Sequence, residues 1–363
     1  MFSFSVSLLL SLVVSVLILR WASRRGLMAM DHDLESVQKM HARPVPRIGG
    51  LAVFIAASIG TALIATRDPA NAARIGLLCA CAVPAFAGGL AEDLTKRITP
   101  WRRMACMALS CGLAFWTMDL VIPRVDIDWI DPLIAWKPFA IVLTLMALLA
   151  VTNAINIIDG FNGLAGVVCS IMFLALGYVG LKVGDAMVVS ASLVMAGSII
   201  GFLVWNYPRG HILMGDGGAY FVGFMLGALS ILIVARNPSV SAWFPVLLMA
   251  YPLVEIAFSV YRRRVLRGTD PHLPDAAHLH QLIFRRVVRW AVGASDPDAR
   301  TVRNALTAPY LWVLSSLTVA PAALWFDRTP VLASLFVVFC VSYVWLYFRI
   351  VRLKVPRWMV FKR

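Results

Sequence analysis

Charged residues are scarce in this sequence: Asp, Glu, Lys and Arg make up only 14% of the 363 residues, whereas 60% are hydrophobic. This composition excludes a soluble globular domain of this length, and no long polar block is present in which a second domain could fold. Cysteine is also sparse, with six residues that all lie in apolar segments and form no paired metal-ligand pattern. The sequence therefore predicts a single membrane-embedded domain over residues 1–363, with neither disulfides nor a zinc site.

The sequence has, instead, repeated apolar runs near twenty residues, the length that crosses a bilayer as a helix. We count about eleven of them, so the predicted fold class is an all-α polytopic membrane protein. The first run has no basic residue before it and no small-residue cleavage site behind it, which indicates a retained span and not a signal peptide. The predicted spans are Phe2–Leu19, Ile48–Thr66, Ile75–Ala91, Met104–Ile122, Phe139–Thr152, Leu164–Leu181, Ala186–Trp205, Ala219–Ala235, Ala242–Tyr261, Ala308–Phe326 and Val331–Phe348.

The positive charge is distributed on one side of these spans. The segments after alternate spans, beginning with the first, carry 26 of the 33 Lys and Arg residues, and the other segments carry 7. The positive-inside rule therefore predicts a cytoplasmic C-terminus and an N-terminus outside. With 12 of the 19 acidic residues on the inner side, the whole net charge of +14 faces the cytoplasm. This arrangement favours anionic headgroups or a polyanionic substrate, and not nucleic acid, as the partner.

A run of amides and one carboxylate, NAINIIDGFNG from Asn153 to Gly163, separates two apolar segments. Asn153, Asn156 and Asp159 recur at i, i+3 and i+6, so they form one polar stripe if the preceding helix continues into the run. Such a stripe is costly in hydrocarbon unless it faces protein, water or a ligand. A helix end and turn would explain the Asp-Gly and Asn-Gly pairs, but it leaves the stripe unexplained. The pattern therefore favours a functional site.

Two further carboxylate positions lie next to predicted helix ends. Glu92 and Asp93 are adjacent at the cytoplasmic end of the third span, where the helix dipole disfavours negative charge and a cation such as Mg²⁺ would stabilise them. On its own, pairing with the basic residues of the following loop, up to Arg103, is the simpler explanation. Asp216 lies among glycines before the eighth span, where backbone N–H groups and a carboxylate together suit a metal-bound diphosphate. An N-cap aspartate has the same pattern, and both interpretations can hold.

The first cytoplasmic loop carries Lys39, His41 and Arg47 close to the start of the second span. Ordinary loop chemistry and a phosphate-binding rim explain these residues equally well. Glu255 is an ionisable residue inside the ninth predicted span, which makes it a functional hypothesis, with pairing to the nearby Arg262 or Arg263 as the structural alternative.

The longest cytoplasmic loop follows the ninth span and contains Asp275, His278 and His280. The i, i+2 spacing of the two histidines does not place them on one helix face, and the i, i+4 zinc-protease pattern is absent. Imidazoles among guanidinium groups suit contacts to phosphate and sugar better.

Every one of these clusters falls on the cytoplasmic side, which was assigned from Lys and Arg alone. The clusters span residues 39–50, 92–103, 153–162, 206–216 and 262–289. A transporter would be expected to place polar groups near the middle of its spans or on both sides. The pattern therefore predicts a membrane-embedded enzyme whose cytoplasmic site handles anions.

These motifs, in this order, resemble those of the polyprenyl-phosphate N-acetylhexosamine-1-phosphate transferases. That superfamily includes the initiating enzymes of O-antigen, enterobacterial common antigen and teichoic acid assembly, and the muramoyl-pentapeptide translocase. The likeness covers about residues 33–289, while residues 308–363 hold the last two spans and a basic tail. The motifs are Lys39 with His41–Gly50, Glu92-Asp93, Asn153–Gly163, Met214–Gly217, and Pro252–Glu255 followed by Asp275, His278 and His280.

The resemblance implies a role for each matching residue. Asn156 and Asp216 would hold Mg²⁺, or Mn²⁺ in its place, on the donor diphosphate. Asp159, with Asn153, would help to seat the nucleotide.

By the same resemblance, Asp93 with Glu92 would activate or position the lipid phosphate, and His278 and His280 would contact the diphosphate and the sugar. The candidate catalytic residues are then Glu92, Asp93, Asp159, His278 and His280. The candidate substrate-binding residues are Lys39, His41, Arg47, Arg102, Asn153, Asn162, Glu255 and Asp275.

The sequence departs from the usual motifs at four positions. Glu92 replaces the first Asp of an Asp-Asp pair, Glu255 replaces a membrane-embedded Asp, Asn162 replaces the second Asp of Asp-Gly-x-Asp-Gly, and Gln281 replaces a third histidine. The two glutamates keep the charge and lengthen the arm, so these changes bear on the donor more than on the reaction class.

The resemblance implies an enzyme of the bacterial inner membrane that uses a UDP-N-acetylhexosamine and a polyprenyl phosphate such as undecaprenyl phosphate. It would release UMP and form the lipid-diphosphate sugar that initiates an envelope polysaccharide. Two alternatives remain open from the sequence: an enzyme that acts on the muramoyl-pentapeptide nucleotide, and a transporter of lipid-linked sugars. The sequence also leaves open which sugar is used and whether the chain forms a homodimer.

Overall fold

The computed structural model describes residues 2–25, 45–266, 268, 277–288 and 297–352, and the regular structure in these ranges is helical. The helices are α1 Phe2–Arg25, α2 Gly49–Ile64, α3 Pro69–Cys81, α4 Val83–Thr95, α5 Pro100–Met118, α6 Asp131–Ile134, α7 Lys137–Ile158, α8 Leu164–Val183, α9 Ala186–Asn206, α10 Gly215–Arg236, α11 Trp243–Leu248, α12 Ala250–Tyr261, α13 Leu279–Leu282, α14 Pro297–Leu324 and α15 Thr329–Val351. Arg262–Leu266 and Ile283–Val288 are π-helical. The all-α prediction is confirmed for the described ranges.

Seven helices in the described ranges are long and apolar enough to cross a membrane: α1, α7, α8, α9, α10, α14 and α15. The bent pair α3–α4 raises this number to eight if it forms one span. A multi-pass membrane protein is therefore confirmed, while the count of eleven and the orientation of the termini stay predictions. Of the other predicted spans, the second is the shorter helix α2 and the fourth is α5, which has exposed tryptophans, Trp101 and Trp116, near its two ends.

Two predicted spans are interrupted, and proline explains both interruptions. The third span bends by 42° between α3 and α4, where Pro84 has no N–H to donate to the carbonyl of Ala80. The ninth span divides into α11 and α12 at Met249, where Pro252 leaves the carbonyl of Leu248 without its helical donor. The fifth span is longer than predicted, because α7 continues to Ile158.

Helix α10 occupies the centre of the bundle, with every residue from Gly215 to Val234 buried. It is apolar on all sides, as a fully enclosed helix must be, and it packs against α2, α4, α7, α8 and α9. Its first turn lies at the end of the bundle where α4 and α7 finish and α8 begins, so the polar motifs of these four helices meet there.

The opposite end of the bundle is closed by ion pairs that bridge loops. Asp185, the N-cap of α9, accepts hydrogen bonds from Arg236 Nε at 2.7 Å and from the Val188 N–H at 3.2 Å. Burial alone would raise the pKa of Asp185, but hydrogen bonds from Arg236, Val188 and Asn237 lower the pKa below its ordinary value. This contact joins the start of α9 to the end of α10.

An apolar cavity of about 470 Å³ lies between α7, α10 and the broken pair α11–α12. Its wall includes Leu148 and Val151 of α7, Ile231 of α10, and Met249 and Leu253 on either side of the α12 start. The cavity therefore borders the same two helices, α7 and α10, that carry the polar motifs at the site end.

Candidate active site

Asp93 binds the start of the central helix. Its Oδ1 accepts the N–H of Asp216 at 3.0 Å and its Oδ2 accepts the N–H of Gly217 at 2.9 Å. First-turn N–H groups have no partner within their own helix and attract negative charge, so Asp93 caps α10 from the neighbouring helix α4. The side chain is only 1% exposed. Asp93 therefore holds the backbone on which Asp216 is carried.

Glycines allow this close approach. A Cβ at Gly89, one turn before Asp93, would lie 2.5 Å from the nitrogen of Gly217, and a Cβ at Gly50 of α2 would lie 2.2 Å from the Cα of Gly218. No side chain fits at such distances. The glycines of three helices therefore bring α2 and α4 into backbone contact with the first turn of α10.

The Asp216 carboxylate joins three parts of the chain. Its Oδ1 accepts hydrogen bonds from a guanidinium nitrogen of Arg47 and from Asn156 Nδ2, both at 3.1 Å, and its Oδ2 accepts one from Arg103 at 2.8 Å. Arg47 also lies 3.7 Å from Asp93. The motifs of the first loop, α5 and α7 therefore converge on one carboxylate.

Asp159 follows the last residue of α7 and belongs to the same electrostatic cluster. Burial raises the pKa of its carboxyl well above the usual range; the Arg47 guanidinium opposes this rise, while the nearby Asp216 and Asp93 add to it. The three carboxyl groups therefore repel one another, and the Arg47 guanidinium offsets part of that repulsion. The predicted stripe is partly confirmed: Asn153 and Asn156 lie on α7, and Asp159 is its C-cap.

The donor set around Asp216 fits a divalent cation that is bound mainly by a substrate. No group of three His, Cys, Asp or Glu side chains in the described ranges could hold a metal by itself. Asn156 and Asp216 nevertheless place an amide and a carboxylate side by side, and rotation of the amide would present its oxygen at the same point. Mg²⁺ is commonly bound by one or two protein oxygens and completed by water and phosphate. The residues therefore suit Mg²⁺ carried by a diphosphate.

The two histidines lie beside the Asp159–Gly160 turn. The rings of His278 and His280 stack with their centroids 5.4 Å apart and their planes at 9°. His280 also meets the edge of Phe161 at 5.4 Å, and a Cβ at Gly160 would lie 3.8 Å from its Nε2. The structure therefore brings His278 and His280 to the end of α7, as a shared site requires.

Three predicted site residues make no contact with the Asp216 cluster among the hydrogen bonds described. Glu92 accepts the N–H of Ile98 at 2.7 Å, and Asn153 donates to the carbonyl of Leu149 in its own helix. The Arg102 side chain is exposed. Their roles toward a substrate stay predictions. Arg103, which lies in α5, pairs with Asp216, while Asp93 lies 3.7 Å from Arg47.

Asn162 is completely buried, and its amide donates to the carbonyl of Pro208 at 3.0 Å. Its own N–H donates to Asn304 of α14, and the next N–H, that of Gly163, donates to Asn206. These contacts position the loop behind the site. The predicted substrate contact of Asn162 stays a prediction that this burial speaks against.

Arg103 is the site residue that the sequence did not single out. It lies beside Arg102 in the first turn of α5, and the packing of α5 decides which of the two faces Asp216. Gln281 does not stand in for a third histidine; its Oε1 accepts the N–H of His278 at 3.3 Å and caps α13. Lys39, His41 and Asp275 lie outside the described residues.

Comparison with known proteins finds similar sequences. The family described as glycosyl transferase family 4 matches residues 75–234, which include the ends of α4 and α7 and the start of α10. A probable undecaprenyl-phosphate N-acetylglucosaminyl 1-phosphate transferase of Bacillus subtilis is 27% identical over 342 residues, covering 93% of this chain and 87% of the relative.

Two other relatives are similar at comparable levels. An undecaprenyl-phosphate alpha-N-acetylglucosaminyl 1-phosphate transferase of Yersinia pestis is 29% identical over 276 residues, covering 70% of this chain and 69% of its own. A decaprenyl-phosphate N-acetylglucosaminephosphotransferase of Mycolicibacterium smegmatis is 29% identical over 323 residues, covering 79% and 74%. With the ordered motifs and their convergence at one end of the bundle, these matches support the resemblance of the chain to the polyprenyl-phosphate N-acetylhexosamine-1-phosphate transferases.

Proposed function

We propose that this protein transfers N-acetylhexosamine 1-phosphate from a UDP-sugar to a polyprenyl phosphate, releasing UMP and forming a lipid-diphosphate sugar. The observation that carries the proposal is the meeting of Asp93, Asn156, Arg47 and Arg103 around Asp216, at the first turn of a buried helix. The names of the relatives make UDP-N-acetylglucosamine the first donor to test and undecaprenyl phosphate the first acceptor.

The cluster supplies what a diphosphate donor needs. Arg47 and Arg103 carry guanidinium groups that now pair with Asp216, and the same groups can bind phosphate oxygens through parallel N–H donors. Asn156 and Asp216 would hold Mg²⁺, which when bound neutralises the diphosphate and sets its geometry for in-line displacement. His278 and His280 lie where they would contact the phosphates or the sugar.

The nucleophile is a phosphate oxygen of the lipid acceptor. A lipid phosphate is already ionised at neutral pH, so its oxygen can attack the sugar-bearing phosphorus without a strong base, and the bond to the UMP oxygen breaks as the new one forms. The task left to the protein is orientation. Asp93 performs it indirectly, because it holds the backbone of Asp216 and Gly217.

The apolar cavity suits the lipid tail. Its wall includes Leu148 and Val151 of α7, the helix that carries Asn156 further on, and residues of the C-terminal half of α10. A polyprenyl chain in this cavity would keep its carbon chain at membrane depth while its phosphate reaches the carboxylates.

The proposal places the active site on the cytoplasmic face of a bacterial inner membrane. It is supported by the 26 Lys and Arg residues on the predicted inner side and by the convergence of the polar motifs at one end of the bundle. The orientation with the N-terminus outside, the eleven spans and any homodimer belong to the same proposal and await accessibility labelling and native mass measurement.

UMP release by the detergent-purified protein tests the function directly. The protein is mixed with undecaprenyl phosphate, Mg²⁺ or Mn²⁺, and a panel of UDP-sugars that includes the muramoyl-pentapeptide nucleotide. We expect release that depends on lipid and metal, that EDTA abolishes, and that Asp216→Asn loses. Asp119→Asn makes the same chemical change at an exposed residue paired with Lys137 and is expected to behave as wild type. A folded protein that releases no UMP from any donor would contradict the proposal and favour a transporter.

A further inference from the structure

A buried carboxylate and an imidazole meet between α12 and α13. Glu255 Oε1 lies 3.0 Å from His278 Nδ1 and accepts the N–H of Leu279 at 3.1 Å. Glu255 is 2% exposed and His278 is 8% exposed. A buried carboxylate without partners is strongly disfavoured, so these two hydrogen bonds decide where the segment that carries His278 lies.

The contact determines which nitrogen of His278 carries the proton. An ionised carboxylate only accepts hydrogen bonds, so Nδ1 donates to Glu255 and Nε2 is left on the other side of the ring. The ring of His280 stacks on that of His278 and reaches Gly160 at the turn after α7. The orientation of the His278 ring therefore constrains the His280 ring, which borders the proposed diphosphate site.

Glu255 itself does not open onto the site. Its side chain is 2% exposed: Oε1 accepts from His278 and Leu279, and Oε2 is buried as well, so a direct contact with the donor would require the surrounding helices to open. We propose that Glu255 is a positioning residue that orients His278, and through it His280, toward the donor phosphates. The proposal rests on the proposed function and replaces the substrate-binding role predicted for Glu255 from the sequence.

The opposite side of the same segment is held by the last helix. Tyr347 of α15 donates to the carbonyl of Ala277 at 3.0 Å, and Arg286 donates to the carbonyls of Ile350 and Val351 at the end of α15. Tyr347→Phe is therefore a matched control, since it removes one hydrogen bond from the same segment without changing the Glu255 contact.

The test compares Glu255→Leu, Glu255→Gln and Tyr347→Phe in the full-length protein, with thermal unfolding to verify folding. Loss of a buried, charge-assisted hydrogen bond is expected to lower kcat/KM for the UDP-sugar by about 10- to 100-fold in Glu255→Leu. Glu255→Gln should lose less, because its amide oxygen can accept both N–H groups. Tyr347→Phe should lose less than about threefold, since its hydrogen bond is neutral and lies outside the site.

A double-variant cycle separates positioning from direct contact. If Glu255 acts through His278, Glu255→Leu combined with His278→Ala should be no less active than His278→Ala alone. The proposal would be overturned if the activity losses of Glu255→Leu and His278→Ala multiplied in the double variant. It would also be overturned if Glu255→Leu were as active as wild type.

A second readout does not depend on activity. The chain has six histidines, so ¹⁵N-histidine spectra of wild type and His278→Ala identify the His278 signals. We expect Nδ1 to carry a proton in wild type and in Glu255→Gln, and a different distribution of protons between Nδ1 and Nε2 in Glu255→Leu. An unchanged His278 spectrum in Glu255→Leu would overturn the proposal. A wild-type protein with the expected spectrum but no transferase activity would instead contradict the proposed function alone.

Discussion

Replacing Gly89 by alanine tests whether the backbone contact between α4 and α10 builds the active site. The added Cβ would lie 2.5 Å from the Gly217 nitrogen, whereas ordinary contact begins at 3.4 Å, so the two helices must separate by the difference, about 0.9 Å. The Asp93–Gly217 hydrogen bond, now 2.9 Å long, would then exceed hydrogen-bonding distance.

The expected loss follows from that one bond. A hydrogen bond to a charged group contributes about 1.5–3 kcal/mol. If Gly89→Ala displaces the Asp216 backbone by this amount, the rate of UMP release should fall by about 10- to 100-fold. Stability should fall by about 1–3 kcal/mol, the usual cost of overpacking.

Gly112→Ala is the matched control, because Gly112 lies on the neighbouring helix α5 and a Cβ there would meet nothing within 4 Å. Initial rates of UMP release and thermal unfolding in detergent are measured for both variants. We expect the control to match wild type in both measurements. A Gly89→Ala protein within about twofold of the wild-type rate would refute the reasoning, because a 10-fold loss is the smallest that one such bond should cause.

Two further predictions concern charged residues at opposite ends of the bundle. Arg103→Gln should lower kcat/KM for the donor by about 10-fold or more, because it removes the 2.8 Å contact to Asp216. Arg102→Gln should change kcat/KM little, because the Arg102 side chain is exposed. Steady-state kinetics in which the Arg102 variant suffers the larger loss would reverse the assignment. The lowered pKa of Asp185 implies stability that is fully present above the pKa of an unfolded aspartate, about 4, and is lost as the pH falls through the lower pKa of the folded state. Thermal unfolding between pH 7 and pH 3 should show this loss in wild type and a smaller one in Asp185→Asn, and identical pH profiles would contradict it.

The membrane character and the helical positions of the polar motifs could be predicted from the sequence because both depend on local patterns. Apolar runs of span length predict helices in any bundle, and helices occur at each predicted span in the described ranges. The spacing of Asn153 and Asn156 depends only on helical periodicity, so their position on one helix could be predicted from neighbouring residues. The orientation in the membrane stays a prediction from composition, which rests on Lys and Arg near the span ends.

Only the tertiary structure decides which of these polar residues meet. Asp93 and Gly217 are 124 positions apart, and their hydrogen bond exists because glycines let two helices touch. The choice of Arg103 over Arg102 depends on how α5 is rotated against α10, and the burial of Asn162 depends on α14 and the loop after α9. Glu255 likewise meets His278 only when α12 and the following loop are folded together. Local propensity carries no information about such distant contacts, because they are set by the packing of whole helices.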